Sequence, residues 1–345
     1  MAANYWVSSQ RLHWHFTKEK LAEIRAALEL EDQAFVQQFN LPERRLLSEY
    51  FRTQITKLAR RLPQQIRQQA IATAQIYLRR FYTKVEIRRT NVFLMLATAL
   101  YLACKMEECP QHIRSIASEA RNIWPEFITP DTARIGEYEF LLISEMSSHL
   151  IIHHPYRTLL DLQTPLTLSA EEFSLSWSIV NDHYVTDLPL LYPPHVIAVT
   201  AIFLALVLGK AGGGGTSGGG GGGGSVAGAV VQSVNAAAVL ANAAASLKSD
   251  SGGGPISTFT LPPSGSKPLA SILLPADVAA LSLNPTHLTR IQSFVSWLAK
   301  GEVDIKAMVE CTQEIVSLYE VLEGYSEKLI RDAVGIFVRG RGLDK

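Results

Sequence analysis

The fold is decided by residues 92–108, whose sequence is VFLMLATALYLACKMEE. No charged side chain occurs before Lys105, and alanine and leucine dominate. We predict a helix over residues 91–106 with Thr90 as its cap, because a strand of this length would be unusual and alanine and leucine favour helices. A helix with no polar face must be surrounded by other helices, so this one is predicted to lie at the centre of a bundle.

Four further helices are predicted around it. Apolar residues recur at steps of three and four over residues 46–62, and Pro63 ends that helix. Strand signals are scarce, so the sequence predicts an all-α protein. The other predicted helices are residues 65–82, 111–121 and 130–146, the last with Thr129 as cap and Pro130 at its first position.

The chain contains an internal repeat. Thr98-Ala-Leu-Tyr-Leu-Ala103 matches Thr200-Ala-Ile-Phe-Leu-Ala205, identical or conservatively changed at every position, and both segments lie in buried-helix patterns. The helix before the second copy begins with a capping box, Ser169-Ala-Glu-Glu172. Two similar helical domains in tandem are therefore predicted.

A low-complexity segment interrupts the second domain. Eleven of the fourteen residues 212–225 are glycine. Ordering such a segment costs much backbone entropy and buries little apolar surface, so residues 211–285 are predicted to be a flexible surface insertion. Helical periodicity resumes over residues 287–298 and 303–322. The predicted domains are an N-terminal helical extension at 1–40, the first helical domain at 41–150, the second at 151–325 and a C-terminal tail at 326–345.

Composition argues against several classes of protein. The 32 basic residues equal the 32 acidic ones, so the chain lacks the positive excess of a protein that mainly binds nucleic acid. Cys104, Cys109 and Cys311 are too few for a disulfide framework or a zinc site, and we expect buried thiols in a reducing compartment. We expect no secretory leader, because the first residues lack a positively charged start followed by an apolar run, and no membrane span, because no apolar run is long enough. An intracellular protein with no direct nucleic-acid partner and no membrane partner is predicted.

No motif for catalysis or cofactor binding is found in the sequence. The glycine run lacks the Gly-Lys-Ser/Thr ending of a phosphate-binding loop, and neither a nucleophile elbow nor a His-Glu-x-x-His helix occurs. His153 and His154 are adjacent, so they cannot share a helix face as metal ligands spaced by four do. A structural role is expected for both, and we predict no catalytic residue, no metal and no cofactor.

Lys105 distinguishes the two copies of the repeat. It lies in the last turn of the apolar helix, where a cation complements the negative end of the helix dipole. The matching position in the second copy is Val207, so the charge is particular to the first domain. Glu139, beside apolar positions of the predicted fifth helix, is the expected counterpart of Lys105 at the edge of the bundle. Taken alone, Glu139 would be an ordinary solvated charge.

A basic cluster is interleaved with Tyr77, Phe81 and Tyr82. Because the whole chain has no net charge, a solvated helical face or a docking surface for an acidic protein segment is favoured over contact with nucleic acid. The members of the cluster are Arg60, Arg61, Arg67, Arg79, Arg80, Lys84, Arg88 and Arg89.

Residues 101–108, YLACKMEE, resemble the cyclin-box signature, in which an apolar helix ends in a lysine followed by a pair of glutamates. The tandem five-helix arrangement resembles the cyclin family too, and the resemblance covers about residues 1–210 and 286–325. The insertion at 211–285 departs from the family pattern. Other segments are similar to the cyclin C subfamily of Mediator-associated transcriptional cyclins, namely residues 4–9 (NYWVSS), 71–74 (IATA), 80–82 (RFY), 154–157 (HPYR), 179–182 (IVND) and 191–194 (LYPP).

The resemblance implies two cyclin boxes of five helices each, plus an N-terminal helix. It implies a non-enzymatic nuclear subunit that binds and activates a cyclin-dependent kinase of the Mediator kinase module, which phosphorylates the C-terminal tail of RNA polymerase II. The box at residues 41–150 would bind the kinase. The implied contact residues are Lys105, Glu139, Glu108 and Trp6.

A second partner site is implied at Trp177, Asn181 and Asp182. A groove there would bind one of the large Mediator kinase-module subunits, and the alternative is a packed tryptophan beside a polar helix turn. Whether the subunit acts as activator or repressor is left open by the sequence.

Another class of protein also uses paired five-helix domains. General transcription factors of the TFIIB type bind promoter DNA through such repeats, and would need a strongly basic core and usually an N-terminal zinc ribbon. This sequence shows neither feature. An enzyme in the cleft between the domains has no support in the sequence.

Overall fold

A computed structural model describes residues 4–129, 131–208 and 285–344, without the side chains of residues 285–288. In these ranges the chain forms α-helices and three short 3-10 helices and has no strand, which confirms the predicted all-α class. The predicted insertion, except for its last residue, lies outside the described residues. No helix within the described ranges is long and apolar enough to cross a bilayer.

The helices divide between two compact units. Unit 1 comprises Met1–His154, Asn181–Pro193 and Val321–Lys345, and unit 2 comprises Pro155–Val180 and Pro194–Glu320. In chain order the helices are α1 Ser9–His13, α2 Lys18–Glu31, α3 Gln33–Gln38, α4 Arg44–Arg61, α5 Gln68–Phe81, α6 Val92–Met106, α7 Ile113–Ile123, α8 Thr132–Glu145, α9 Pro155–Gln163, α10 Ala170–Asp182, α11 Leu188–Leu191, α12 Pro194–Leu208, α13 Pro285–Lys300, α14 Ile305–Leu322 and α15 Glu327–Gly340.

The helix α6 lies at the centre of unit 1, as its sequence predicts. It packs against α4, α5, α7 and α8, and its side chains are buried from Val92 to Cys104 except at Tyr101. The side-chain oxygen of Asn91 caps it by accepting hydrogen bonds from the amides two and three residues ahead, at 3.0 and 3.3 Å. The predicted cap, Thr90, is wrong, because its hydroxyl bonds back to a carbonyl of the preceding 3-10 helix.

The start of α8 also differs from its prediction. Asp131 caps the helix by accepting a hydrogen bond from the amide of Ala133 at 2.8 Å, so the predicted cap Thr129 is wrong. Pro130 lies outside the described residues. The other predicted helix ends agree with the structure to within a few residues, since the exact end is decided by local caps that periodicity does not show.

The repeat and the capping box are present in the structure. The amide of Ser169 donates to Glu172 at 2.8 Å and the amide of Glu172 donates to the Ser169 hydroxyl at 3.2 Å, so the predicted capping box is confirmed. The two threonines that begin the repeated segments have the same environment. Thr98 and Thr200 are fully buried, and each donates to the carbonyl four residues earlier, at 2.8 and 2.9 Å.

In unit 2 the core is built around α12. This helix is buried along almost its whole length and packs against α9 and α13. The ring of Phe203 stacks on Phe294 of α13 with 6.0 Å between centroids. The helix α12 is therefore the buried member of its unit, as α6 is in unit 1.

Residues 326–345, expected to be a tail, contain α15, which belongs to unit 1. It packs against α4. The side chains of Ile330, Val334, Phe337 and Val338 are buried in the same core as α6. The carbonyl of Leu343, just after α15, accepts a hydrogen bond from the Asn91 side chain at 3.1 Å.

Candidate functional site

The two charged residues singled out in the sequence form an ion pair at the surface of unit 1. Lys105 lies in the last turn of α6 and Glu139 lies on α8, with 2.6 Å between Nζ and Oε1. The hydrogen bond to Glu139 raises the pKa of Lys105, against the opposing effect of partial burial. The ammonium also lies 5.0 Å from the ring centroid of Tyr101. The predicted pairing is confirmed, and it fixes the lysine in one place on the surface.

Two exposed apolar side chains and a glycine surround this ion pair. Phe140, next to Glu139, is 76% exposed, and Met106, next to Lys105, is exposed too. Gly136 lies one helical turn before Glu139 and Phe140, and a Cβ built there would meet no atom within 4 Å. We call this region the α6–α8 surface. Its residues are Tyr101, Lys105, Met106, Gly136, Glu139 and Phe140.

The end of α6 divides the glutamate pair of the signature between two environments. The amide of Cys109 donates to the carbonyl of Cys104 at 3.0 Å, and Glu108 adopts the left-handed backbone conformation, with φ 55°. This is the Schellman ending of a helix, in which glycine usually occupies the left-handed position. Glu108 is exposed, whereas Glu107 is turned inward and is half-buried.

Glu107 belongs to a hydrogen-bonded network inside unit 1. Thr73 donates to Glu107 at 2.6 Å, and Gln69 donates to it at 2.7 Å. Because the single hydroxyl proton of Thr73 is used in this way, Nε2 of His154 donates to Thr73 at 2.8 Å. Nδ1 of His154 then accepts from the Tyr184 hydroxyl at 2.7 Å. The expected structural role of His154 agrees with this network, but Thr73 and Tyr184 carried no signal in the sequence.

The pKa values of the two titratable groups in the network are both lowered. Burial alone would raise the pKa of Glu107, but the hydrogen bonds from Thr73 and Gln69 and the nearby His154 ring outweigh it, so the carboxylate stays charged. Burial lowers the pKa of His154 despite the nearby Glu107, so the imidazole is neutral. Within the described residues no three His, Cys, Asp or Glu side chains are grouped as metal ligands would be.

Trp6 lies on the short 3-10 helix Tyr5–Val7 and is 60% exposed. The Tyr5 ring contacts Trp6 and His153, with centroids 5.4 and 5.7 Å away. Gln10 anchors the same segment, since its side chain exchanges hydrogen bonds with the backbone of His153 at 2.7 and 3.3 Å. The N-terminal segment is thus attached to the chain that follows α8, with Trp6 facing outward.

The three residues of the implied second site are divided between the units. Trp177 belongs to unit 2, where its ring stacks on Tyr156 with 4.7 Å between centroids. Asn181 and Asp182 belong to unit 1, and Asp182 lies 3.7 Å from Arg52. All three side chains are half-buried.

Several members of the basic cluster have internal partners. Arg80 is 1% exposed and donates to the carbonyl of His149 at 2.7 Å. Arg88 is buried, pairs with Glu86 at 2.5 Å and donates to the carbonyl of Phe39 at 2.7 Å. The prediction of one solvated face or docking surface is therefore wrong for Arg80 and Arg88. Sequence composition did not reveal that these two arginines are buried, because burial of an arginine depends on hydrogen-bond acceptors that are distant in the chain.

Comparison with known proteins agrees with this architecture. The family described as "Cyclin, N-terminal domain" matches residues 23–150, which include α6 and α8 and therefore the α6–α8 surface. The all-helical fold and this match define the class of protein as a cyclin. The chain belongs to the family of RNA polymerase II holoenzyme cyclin-like subunits, as its full-length relatives show.

These relatives carry the printed name "RNA polymerase II holoenzyme cyclin-like subunit". The protein from Aspergillus oryzae is 50% identical over 345 residues, and the one from Neurospora crassa is 52% identical over 352 residues. In both cases the match covers 100% of this chain and 100% of the relative. The resemblance to the cyclin family that the sequence shows is confirmed.

Two solved structures show weaker similarity. A yeast TFIIK (Kin28/Ccl1/Tfb3) complex contains a chain that is 21% identical with a TM-score of 0.48, over 58% of this chain and 85% of that one. The CAK complex of Chaetomium thermophilum contains a chain that is 18% identical with a TM-score of 0.48, over 96% of this chain and 87% of that one. Similarity at this level carries no argument about function.

Proposed function

We propose that this chain is the non-catalytic regulatory subunit of a cyclin-dependent kinase of the Mediator kinase module and acts in the nucleus on transcription by RNA polymerase II. Membership of the holoenzyme cyclin-like family supports this proposal. The observation that carries it is the Lys105–Glu139 ion pair beside the exposed ring of Phe140. The kinase helix would dock on the α6–α8 surface.

The chemistry of the ion pair suits the end of a partner helix. An ammonium group has three donors, and Lys105 uses one on Glu139. The other donors can reach the carbonyl groups that are unsatisfied at the C-terminal end of a helix. The second carboxylate oxygen of Glu139 can accept from a side chain of the same partner. Because Lys105 and Glu139 are already held together, little side-chain entropy is lost when the partner binds.

Apolar contact supplies the rest of the binding free energy. Phe140 and Met106 flank the ion pair, and Gly136 leaves room for a partner backbone to approach α8 closely. A lone kinase is inactive when its regulatory helix is turned away, because the lysine–glutamate pair that orients the nucleotide phosphates is not formed. Docking of that helix on the α6–α8 surface would hold it in the active position.

The remaining predicted residues extend this proposal. Glu108 is exposed and follows Lys105 by three residues in the chain. Trp6 is exposed on the N-terminal segment that Gln10 anchors. We assign both to the kinase contact. Trp177, Asn181 and Asp182 stay a predicted site for one of the large kinase-module subunits.

The test is reconstitution with the Mediator cyclin-dependent kinase. We expect Lys105→Glu with Glu139→Ala to abolish kinase capture and activation while the melting temperature stays close to that of wild type, because the pair lies at the surface. The matched control is Arg134→Glu with Glu137→Ala. That pair, 3.8 Å apart, also lies on α8 but is turned away from Glu139 by about 140 to 160° around the helix axis.

The control variant should activate the kinase normally. Normal activation by the Lys105→Glu, Glu139→Ala variant would show that the kinase binds elsewhere. Partner identity is tested separately by co-expression with several cyclin-dependent kinases. If a cell-cycle kinase is activated as strongly as the Mediator kinase, the assignment to the Mediator module is wrong.

A further inference from the structure

Trp14, the residue after α1, attaches the N-terminal segment to the rest of unit 1. Its side chain is buried, and the indole nitrogen lies 3.2 Å from Nδ1 of His149, which follows α8. An indole nitrogen only donates hydrogen bonds, so Nδ1 of His149 is the acceptor and carries no proton. A protonated imidazole donates from both ring nitrogens and has no acceptor left. This contact therefore exists only while His149 is neutral.

The charged and titratable groups around this contact are all basic. Arg80 of α5 donates to the carbonyl of His149 at 2.7 Å, and its guanidinium lies 5.0 Å from the Trp14 ring centroid. Lys84 lies 5.9 Å from the same ring. From α1, the ring of His13 stacks on that of His149, with 4.7 Å between centroids and 13° between planes. Over the residues that the structure describes, no carboxylate lies within 4 Å of the His149 ring nitrogens.

A proton on the half-buried ring of His149 has two unfavourable effects. It leaves the buried indole donor of Trp14 without an acceptor, and it adds a positive charge beside Arg80. Burial lowers the pKa of His149, and the charges of His13 and Arg80 lower it further. Because this pKa lies below the ordinary 6.5, the contact contributes fully above about pH 6.5, and its contribution is lost as the pH falls through the lowered pKa.

Uncharged contacts hold the start of the N-terminal segment. Gln10 exchanges hydrogen bonds with the backbone of His153, and the ring of Tyr5 lies against the ring of His153. The His153 ring also titrates, but neither contact needs a bare ring nitrogen. Loss of the Trp14 contact would therefore leave the segment held by contacts that do not change with pH.

We propose that protonation of His149 releases Trp14 and α1 from unit 1, so that these residues form a pH-sensitive latch on the N-terminal segment. We call Trp14, His149, His13 and Arg80 the Trp14 latch. While the latch is closed, Trp6 is held in one place at the other end of the same segment. The consequence for kinase binding rests on the proposed function, whereas release of the segment does not.

The proposal is tested by hydrogen exchange of the Trp14 indole N–H in the full-length protein. The indole signal is assigned in NMR spectra with Trp14→Phe, and exchange rates at about pH 7.5 and about pH 5.5 are corrected for the intrinsic effect of pH. We expect the opening equilibrium to rise at least about threefold at the lower pH, since half a unit of pKa difference corresponds to that factor. Amides of α6 should keep their protection, because only the N-terminal segment opens.

Two variants and one control identify the group that titrates. In His149→Asn the amide oxygen replaces Nδ1 as an acceptor that takes up no proton, so the latch should stay closed at both pH values. His149→Arg carries a permanent charge and should open the latch at about pH 7.5. The matched control, His153→Asn, removes a neighbouring titratable ring that also contacts the segment. It should keep the pH dependence of wild type.

Several results would overturn the proposal. They are exchange of the wild-type indole that is unaffected by pH, a pH dependence that survives in His149→Asn or disappears in His153→Asn, and loss of α6 protection together with that of Trp14, which would indicate unfolding of unit 1 as a whole.

Kinase affinity is measured in parallel at the same two pH values. Wild type should lose more affinity at the lower pH than His149→Asn does, and this comparison removes any effect of pH on the kinase itself. If the indole exchange behaves as expected but the two proteins lose affinity equally, the latch stands and the assignment of Trp6 to the kinase contact fails. The two proposals can therefore fail separately.

Discussion

Asp187 binds both terminal nitrogens of the Arg25 guanidinium, at 2.6 and 2.7 Å. Arg79 reaches the same carboxylate at 3.0 Å. This carboxylate therefore joins the N-terminal helix α2, the helix α5 and the turn before α11 within unit 1. Burial alone would raise the pKa of Asp187, but the hydrogen bond from Arg25 and the charges of Arg79 and Arg25 outweigh it, so its pKa lies below the ordinary value.

Replacement of Asp187 by asparagine should destabilise unit 1 in a pH-dependent way. At pH 7 we expect the free energy of unfolding to fall by about 2 to 3 kcal/mol, because two mostly buried guanidinium groups lose their counter-ion. Since the folded pKa of Asp187 lies below the ordinary 3.8, its contribution is present above about pH 4 and is lost as the pH falls through the folded pKa. Urea unfolding of wild type and Asp187→Asn should therefore converge in acid.

The control for this experiment is Asp161→Asn, which removes an exposed carboxylate paired with Arg157 at 3.9 Å. It should change the free energy of unfolding by less than about 0.5 kcal/mol. A difference between wild type and Asp187→Asn that is the same at pH 7 and in acid would contradict the ionic role of Asp187.

Glycine at position 108 should stabilise the end of α6. Glu108 occupies a left-handed position, with φ 55°, that glycine adopts without strain. We expect Glu108→Gly to raise the free energy of unfolding by up to about 1 kcal/mol, measured by urea unfolding. Glu108→Ala keeps the Cβ and should bring no such gain. If the Glu108 carboxylate contacts the kinase, Glu108→Gly and Glu108→Ala should weaken kinase binding equally. Unequal weakening would show that the change in backbone conformation, and not the loss of the carboxylate, reduces binding.

Exchange of the charges between positions 105 and 139 separates pairing from recognition. In Lys105→Glu with Glu139→Lys the two residues can still form an ion pair, so we expect the melting temperature to match that of wild type. Kinase capture should still be lost, because the donors and acceptors that the kinase helix would meet are reversed. Pull-down with the purified kinase measures this. Normal capture would mean that the pair only stabilises unit 1.

The same substitution should have opposite effects at two glycines. Gly136→Ala adds a Cβ that meets no atom within 4 Å in the interior of a helix, so we expect stabilisation by about 0.5 to 1 kcal/mol. Gly340→Ala adds a Cβ 2.8 Å from two atoms of the Phe39 ring, so we expect destabilisation by about 1 to 3 kcal/mol. Thermal unfolding of the two variants measures both signs. Equal effects would argue against the close packing of α15 on Phe39.

The central helix and the ion pair were predictable because they depend on local patterns. A helix with no charged residue before Lys105 is stable only inside a bundle. Lys105 and Glu139 were predicted as partners because each lies at the edge of the apolar side of its helix, and the two helices are neighbours in the bundle. The repeat predicted the common environment of Thr98 and Thr200. These features need only the periodicity of the chain and the exclusion of charge from the core.

The features that were missed depend on contacts between distant residues. Thr90 and Asn91 are both good capping residues, and the choice of Asn91 is favoured by acceptors at Phe127 and Leu343, far along the chain. Burial of Arg80 requires the carbonyl of His149, which periodicity does not reveal. The helix α15 was not predicted because the family resemblance ends at about residue 325, although its own sequence is strongly amphipathic.

The return of α15 to unit 1 has a consequence for biosynthesis. The ribosome must finish residues 155–343 before Phe337 can fill the core around α6, and at about 5 to 20 residues per second this takes on the order of 10 to 40 s. During that interval the nascent first unit exposes the apolar side chains that α15 will cover. A product that stops before α15 would lack part of that core, so premature termination should yield a substrate for chaperones and proteases and not a stable first unit.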